Sequence, residues 1–175
     1  MKRDCHAAHG NGRRVKGRVR MQFKGREDIE APIDQVFAEI TDFKRFERGA
    51  MRRGADVQRT DTMAEPGVGM TWQSRFKLRG RMRDLSLRLC ELDPPNGIVL
   101  GAEAATVEAL MRVELVSLSR ARTRLSVDLG ITPRNLAGRL MIQSMKLAKG
   151  NLSKRFNLRL AEYAMDVENR HKRTA

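Results

Sequence analysis

Histidine, cysteine and paired carboxylates carry most acid–base, nucleophilic and metal chemistry, and in this chain they stand apart from one another. The three histidines, His6, His9 and His171, lie near the two ends. Cys5, His6 and His9 are close enough in sequence to hold a metal ion. They sit in a glycine-containing segment with little to fix it, so no metal site is expected. Cys90 has no CxxC partner and no evident activator for its thiol. Two cysteines make no disulfide framework, which points to a reducing compartment, the cytoplasm. Glu27, Asp84, Glu91, Glu103, Glu108, Glu114 and Asp128 show no recognisable pairing for acid–base work. No catalytic residue, cofactor or metal is expected from these residues.

Four polar residues could orient a ligand. Arg83 shares parity with Leu85, Leu87 and Leu89, so in an unbroken strand it points inward. There its guanidinium would suit a carboxylate or phosphate head group. A bulge after Gly80, or a place past the rim of the apolar face, would turn it to solvent instead. Ser144, Asn151 and Tyr163 are the polar groups nearest a helical apolar stripe, though such groups more often bond backbone or water.

The elements that must hold these groups are written in the periodicity. Met21 opens a strand that runs to about Glu30. Ala31 and Pro32 end it, and Pro32 suits the first position of a helix. Ile33, Val36, Phe37 and Ile40 then step along one helical face. Asp42 can cap a second short helix, with Phe43 and Phe46 inward and Gly54 breaking it. Six strand-like segments follow, centred on Ala55–Thr60, Met70–Arg79, Leu85–Leu89, Ile98–Ala104, Met111–Leu115 and Leu125–Ile131. Their short connections imply an antiparallel meander. From Arg134 to Asp166 there is no proline, and Met141, Met145, Ala148, Leu152, Phe156 and Tyr163 form one stripe. The expected fold class is α+β: a curved antiparallel sheet of about seven strands, two short helices after the first, and one long C-terminal helix over the sheet.

Net charge is +14, and residues 1–20 carry seven Lys and Arg against Asp4. That segment cannot bury enough to offset its ordering entropy. It reads as an unfolded basic tail, or as residues ahead of a start at Met21. The folded domain is expected over residues 21–168, with 169–175 flexible. The remainder is basic too. Arg75, Lys77 and Arg79 share one strand face, and Arg139, Lys146, Lys149, Lys154, Arg155 and Arg159 lie along the helix. Aromatic residues do not interleave with them, and no helix-turn-helix or zinc-finger spacing appears, so nucleic acid is not the expected partner. A simply solvated basic face is the first reading, and weak contact with anionic membrane the next. No apolar run approaches the ~18–20 residues of a membrane span.

In order and spacing these elements resemble the helix-grip fold of the START-like superfamily (SRPBCC; polyketide cyclase/dehydrase and lipid-transport proteins). IEAPIDQVFAEITDF at residues 29–43 is similar to the superfamily's strand-to-helix entry. PGVGMTWQSRFKLRG at 66–80 is similar to its glycine turn into a strand. ITPRNLAGRLMIQSMKLAKGNLSKRFNLRLAEYA at 131–164 is similar to the closing strand and long helix of a bacterial branch. The resemblance covers about residues 21–166 and implies a cavity between helix and sheet for a hydrophobic or amphipathic ligand. Trp72, Phe76, Leu87, Met111, Val113, Val127, Met141, Met145, Leu152 and Phe156 would line it; a packed core would use the same positions. The superfamily shares no single function or catalytic set. Binding of a hydrophobic small molecule or lipid is the first expectation. A cyclase- or hydratase-type enzyme in the same cavity is the alternative, and an interaction module using the basic surface the third. Oligomeric state is not legible.

Overall fold

The computed structural model describes residues 20–78 and 80–174. The tail assigned to residues 1–20, with Cys5, His6 and His9, lies outside the described residues except for Arg20, as does Arg79. Strand β1 (Met21–Ile29) leads into helices α1 (Ile33–Ile40) and α2 (Phe43–Arg52). Pro32 stands at the N-cap of α1, and Val36 and Ile40 are its buried residues. Asp42 caps α2 as its sequence predicts, accepting from the backbone N–H of Arg45 at 3.0 Å.

Strands β2 (Asp56–Arg59), β3 (Thr71–Leu78), β4 (Arg81–Asp93), β5 (Gly97–Glu103), β6 (Val107–Ser119) and β7 (Arg122–Pro133) then form an antiparallel meander. β1 joins it beside β7, giving the order β1-β7-β6-β5-β4-β3-β2. Asp61 ties the β2–β3 connection, accepting from the backbone N–H groups of Met63 and Thr71 at 2.9 Å each and from the Arg59 guanidinium. At Gly97 the chain passes so close to β6 that a Cβ would lie 2.0 Å from the Val113 carbonyl oxygen.

The closing helical segment is two helices, α3 (Leu136–Leu147) and α4 (Lys149–Thr174), where the periodicity predicts one. Asn135 caps α3, its side chain accepting from Gly138 N–H at 3.0 Å. The break falls at Ala148, which leaves helical geometry at φ −97° and ψ 12°. Gly150 follows it; glycine weakens a helix by about 1 kcal/mol without forbidding it, a signal that a search for proline misses. α4 runs on past Asp166, so His171 is a half-buried helical residue and not part of a tail. No described helix is long and apolar enough to cross a membrane.

Two apolar clusters hold these layers together. The larger joins Ile29, Val36, Trp72, Leu89, Leu125 and Val167, and so locks α1, the sheet and the end of α4. The smaller joins Met21, Phe23 and Ile142, seating α3 over the start of β1.

Candidate functional site

Strand pairing fixes which side chains face the helices. Trp72 lies opposite Leu87, Leu87 opposite Ala102, Leu100 opposite Met111, and Met111 opposite Leu129. Alternation along each strand sends these to the same face of the sheet. α4 packs on that face against β1, with a smaller contact to α1. The contact with β1 is close: a Cβ on Gly25 would lie 2.7 Å from Leu160 Cδ2 and 2.8 Å from Asn157 Oδ1. Phe156 packs on Phe23 with ring centroids 5.8 Å apart. The long helix is thus anchored along one edge of the sheet.

Burial across this face is uneven. Leu89, Ile98, Leu115 and Leu125 are buried. Phe76, Leu85, Leu87, Leu100, Met111 and Leu129 are half-buried, as are Met145, Leu152, Phe156 and Tyr163 on the helices above. Neighbouring strands bring the six strand residues into one continuous apolar floor that stays in part accessible.

Of the lining positions expected from sequence, Phe76, Leu87, Met111, Met145, Leu152 and Phe156 are half-buried, Leu87, Met111 and Phe156 packing on the larger apolar cluster and Met145, Leu152 and Phe156 on the smaller. Val113 and Val127 are buried in the packed half. Trp72 is buried there too, donating its indole N–H to Glu47 Oε1 at 2.7 Å and packing 5.2 Å from the Phe43 ring. It holds α2 to the sheet rather than lining open space. Met141 is misplaced by the sequence reading: it is exposed, and Ile142, about 100° round the helix, is the fully buried residue. Phe46, read as inward, is 46% exposed and stacks on Tyr163 at 6.0 Å.

The polar candidates separate clearly. Arg83 keeps the inward register opposite Phe76, with no bulge before Leu89, yet it is exposed, so it stands past the rim. Ser144 is exposed and donates to the Leu140 carbonyl at 3.1 Å; Asn151 is exposed. Tyr163 differs. Its hydroxyl is buried and has no hydrogen-bond partner among the described residues. Burial pushes its ionisation up and the Glu39 carboxylate adds to this, so the phenol stays neutral. Around it, Glu39 on α1 accepts from Arg45 on α2 and from Arg170 on α4, the latter at 2.9 Å. Sequence reasoning missed the Glu39, Arg45 and Arg170 cluster around Tyr163, because nothing local marks residues that meet only after folding. It also missed Leu100 and Leu129, which strand parity could have found.

A hollow of about 670 Å³ over β1, β7 and β6 is lined by Lys24, Arg26, Arg112, Ser126 and Asp128, with Asn157 of α4 at its border. Its charges are partly matched within the strands, Asp128 pairing with Lys24 at 3.0 Å and accepting from Gln22 at 2.8 Å. Among the described residues, no group of His, Cys, Asp and Glu is arranged to hold a metal ion.

A curved seven-stranded antiparallel sheet, two short helices after its first strand and a long C-terminal helix define the START/SRPBCC-like, helix-grip fold, and the chain adopts it. Among solved structures it is similar to the Zhui aromatase/cyclase from Streptomyces sp. R1128, with a TM-score of 0.62 and 14% identity over 86% of this chain and 95% of that one. It is similar to Ara h 8.0201, with a TM-score of 0.55 and 9% identity over 86% of this chain and 96% of that one. A START superfamily protein from Mycobacterium smegmatis gives 0.52 and 11% over 77% of this chain and 95% of that one. No protein-family model matches the sequence, and no curated protein matches it. At these identities the likeness shows the fold, and the chemistry of the site must come from this chain's own residues.

Proposed function

We propose that the open half of the concave face is a groove that binds a hydrophobic or amphipathic small molecule or lipid, without covalent chemistry, for transport or sequestration. One observation carries this reading: Phe76, Leu85, Leu87, Leu100, Met111 and Leu129 lie on the sheet face that α4 packs on, yet stay only half-buried. Each Å² of apolar surface left wet costs about 25 cal/mol, which a guest recovers on entering. Met111 and Met145 are unbranched and polarisable, suited to an irregular guest. The unpartnered hydroxyl of Tyr163 offers a neutral donor for a polar head. Likeness to an aromatase/cyclase and to a START superfamily protein supports a guest of this general kind.

The test is native mass spectrometry of protein purified without detergent, followed by titration with an apolar fluorescent probe. Co-purified apolar mass or saturable uptake is expected; a protein that arrives empty and takes up no probe ends the reading. Met145→Lys should abolish loading while lowering the melting temperature by much less in proportion, since Met145 also packs on the Met21, Phe23 and Ile142 cluster. Equal loss of both would make Met145 a core residue only.

A second reading places a cyclase- or hydratase-type reaction in the same groove. It is favoured by the likeness to the Zhui aromatase/cyclase and by the protonated Tyr163 phenol. Turnover of a polyketide-like substrate that vanishes in Tyr163→Phe with binding retained would establish it.

A further inference from the structure

α3 has two apolar faces. Gly138, Ile142 and Met145 form the inner one; a Cβ on Gly138 would lie 2.0 Å from the Thr106 carbonyl oxygen, so the helix sits hard on the β5–β6 turn. Leu136, Leu140 and Leu147 point the other way, falling within about 40° of each other opposite the inner stripe at ~100° per residue. They are 71%, 59% and 92% exposed. A helix on a globular domain needs one apolar stripe, facing the core. The second stripe here meets water.

The charge around it is one-sided. No acidic residue occurs between Asp128 and Glu162, a stretch that holds Arg134, Arg139, Lys146, Lys149, Lys154, Arg155 and Arg159. Arg139, Lys146 and Lys149 are exposed, and none has an ion-pair partner among the described residues. Exposed leucines framed by unmatched cations suit a helix lying in the interface of an anionic bilayer. Charge also argues against other covers. Residues 1–19 are themselves basic, and a second copy of the chain would bring the same cations face to face.

We propose that α3 docks the protein on an anionic lipid bilayer. Leu136, Leu140 and Leu147 enter the boundary between headgroups and acyl chains, and Arg139, Lys146 and Lys149 meet the lipid phosphates. At about 18 Å, α3 is long enough to lie flat on the surface and too short to span it. The inference requires no guest in the groove, so it stands or fails separately from the binding reading.

The experiment is co-sedimentation of the full chain with vesicles of phosphatidylcholine alone and of an equal mixture with phosphatidylglycerol. Binding to the mixed vesicles, weakened by salt, and none to phosphatidylcholine alone is expected. The double variant Leu140→Gln, Leu147→Gln should lose about tenfold or more of that binding. Its circular dichroism and melting temperature should not change, because both side chains are exposed. Arg139→Gln with Lys146→Gln should lose binding comparably. Undiminished binding of the leucine variant would assign the attraction to diffuse positive charge and overturn the proposal. So would absence of vesicle binding, whether with the chain monomeric, with a dimer that the leucine variant dissociates, or with retention on RNA in its place.

Discussion

Glu39 and Arg170 are 131 residues apart in sequence, yet the Glu39 carboxylate accepts from the Arg170 Nε at 3.0 Å. Arg45 shares the same oxygen, so one carboxylate joins α1, α2 and the last turns of α4. At 22% side-chain exposure the carboxylate is partly screened by water. Glu39→Gln should therefore cost only about 1 kcal/mol in urea unfolding. Amide exchange should accelerate selectively in residues 165–174, and an unchanged exchange pattern there would show that α4 is held by packing alone.

Gly25 sets how near α4 comes to β1. Gly25→Ala forces a methyl against Leu160 and Asn157, so those side chains or the helix must shift. A loss of about 1–3 kcal/mol is expected from this overpacking. The measurement is the urea midpoint at constant m-value.

Met111 lies mid-floor. If the space above it is open, Met111→Trp should fold within about 1.5 kcal/mol of the parent. Uptake of an apolar probe should fall about tenfold or more as the indole fills the groove. A filled core would give the opposite pattern, a large stability loss.

Removing the Tyr163 hydroxyl takes away a buried polar group that has no partner among the described residues. Tyr163→Phe should leave the empty protein as stable or more stable by up to about 1 kcal/mol. Affinity for a guest with a polar head should fall about fivefold, and affinity for a wholly apolar guest should not change.

Acid should weaken the fold in a particular window. The Arg59 hydrogen bond, helped by the backbone N–H of Thr71, holds Asp61 well below the usual carboxylate range. The Arg124 guanidinium does the same for Asp28. A depressed folded-state value means the unfolded chain binds more protons, so stability rises with pH through this range. It is fully present above the ordinary aspartate value of about 4 and is lost as pH falls through the lower folded values. The melting temperature should be level near neutrality and decline below about pH 4. Asp61→Asn should lower the neutral value and flatten the acid decline.

Local pattern carried much of the fold. Alternation at Trp72, Ser74 and Phe76, the Pro32 entry, the Asp42 cap and the short turns suffice for strand, helix, helix and meander. These are choices the backbone makes within a few residues. The sequence also placed Phe76, Leu87, Met111, Met145, Leu152 and Phe156 on inward-facing positions, because parity and helical phase are local too. Whether an inward residue is sealed or open is not local. Trp72 and Met111 share a face, yet one is buried under α2 and the other half-accessible. Trp72 is sealed because Phe43 and Glu47 of α2, distant in sequence, close over it. The break at Ala148 likewise gave α3 its own orientation, with Ile142 in and the three leucines out. Periodicity names a face; only the packed arrangement of distant elements decides what covers it.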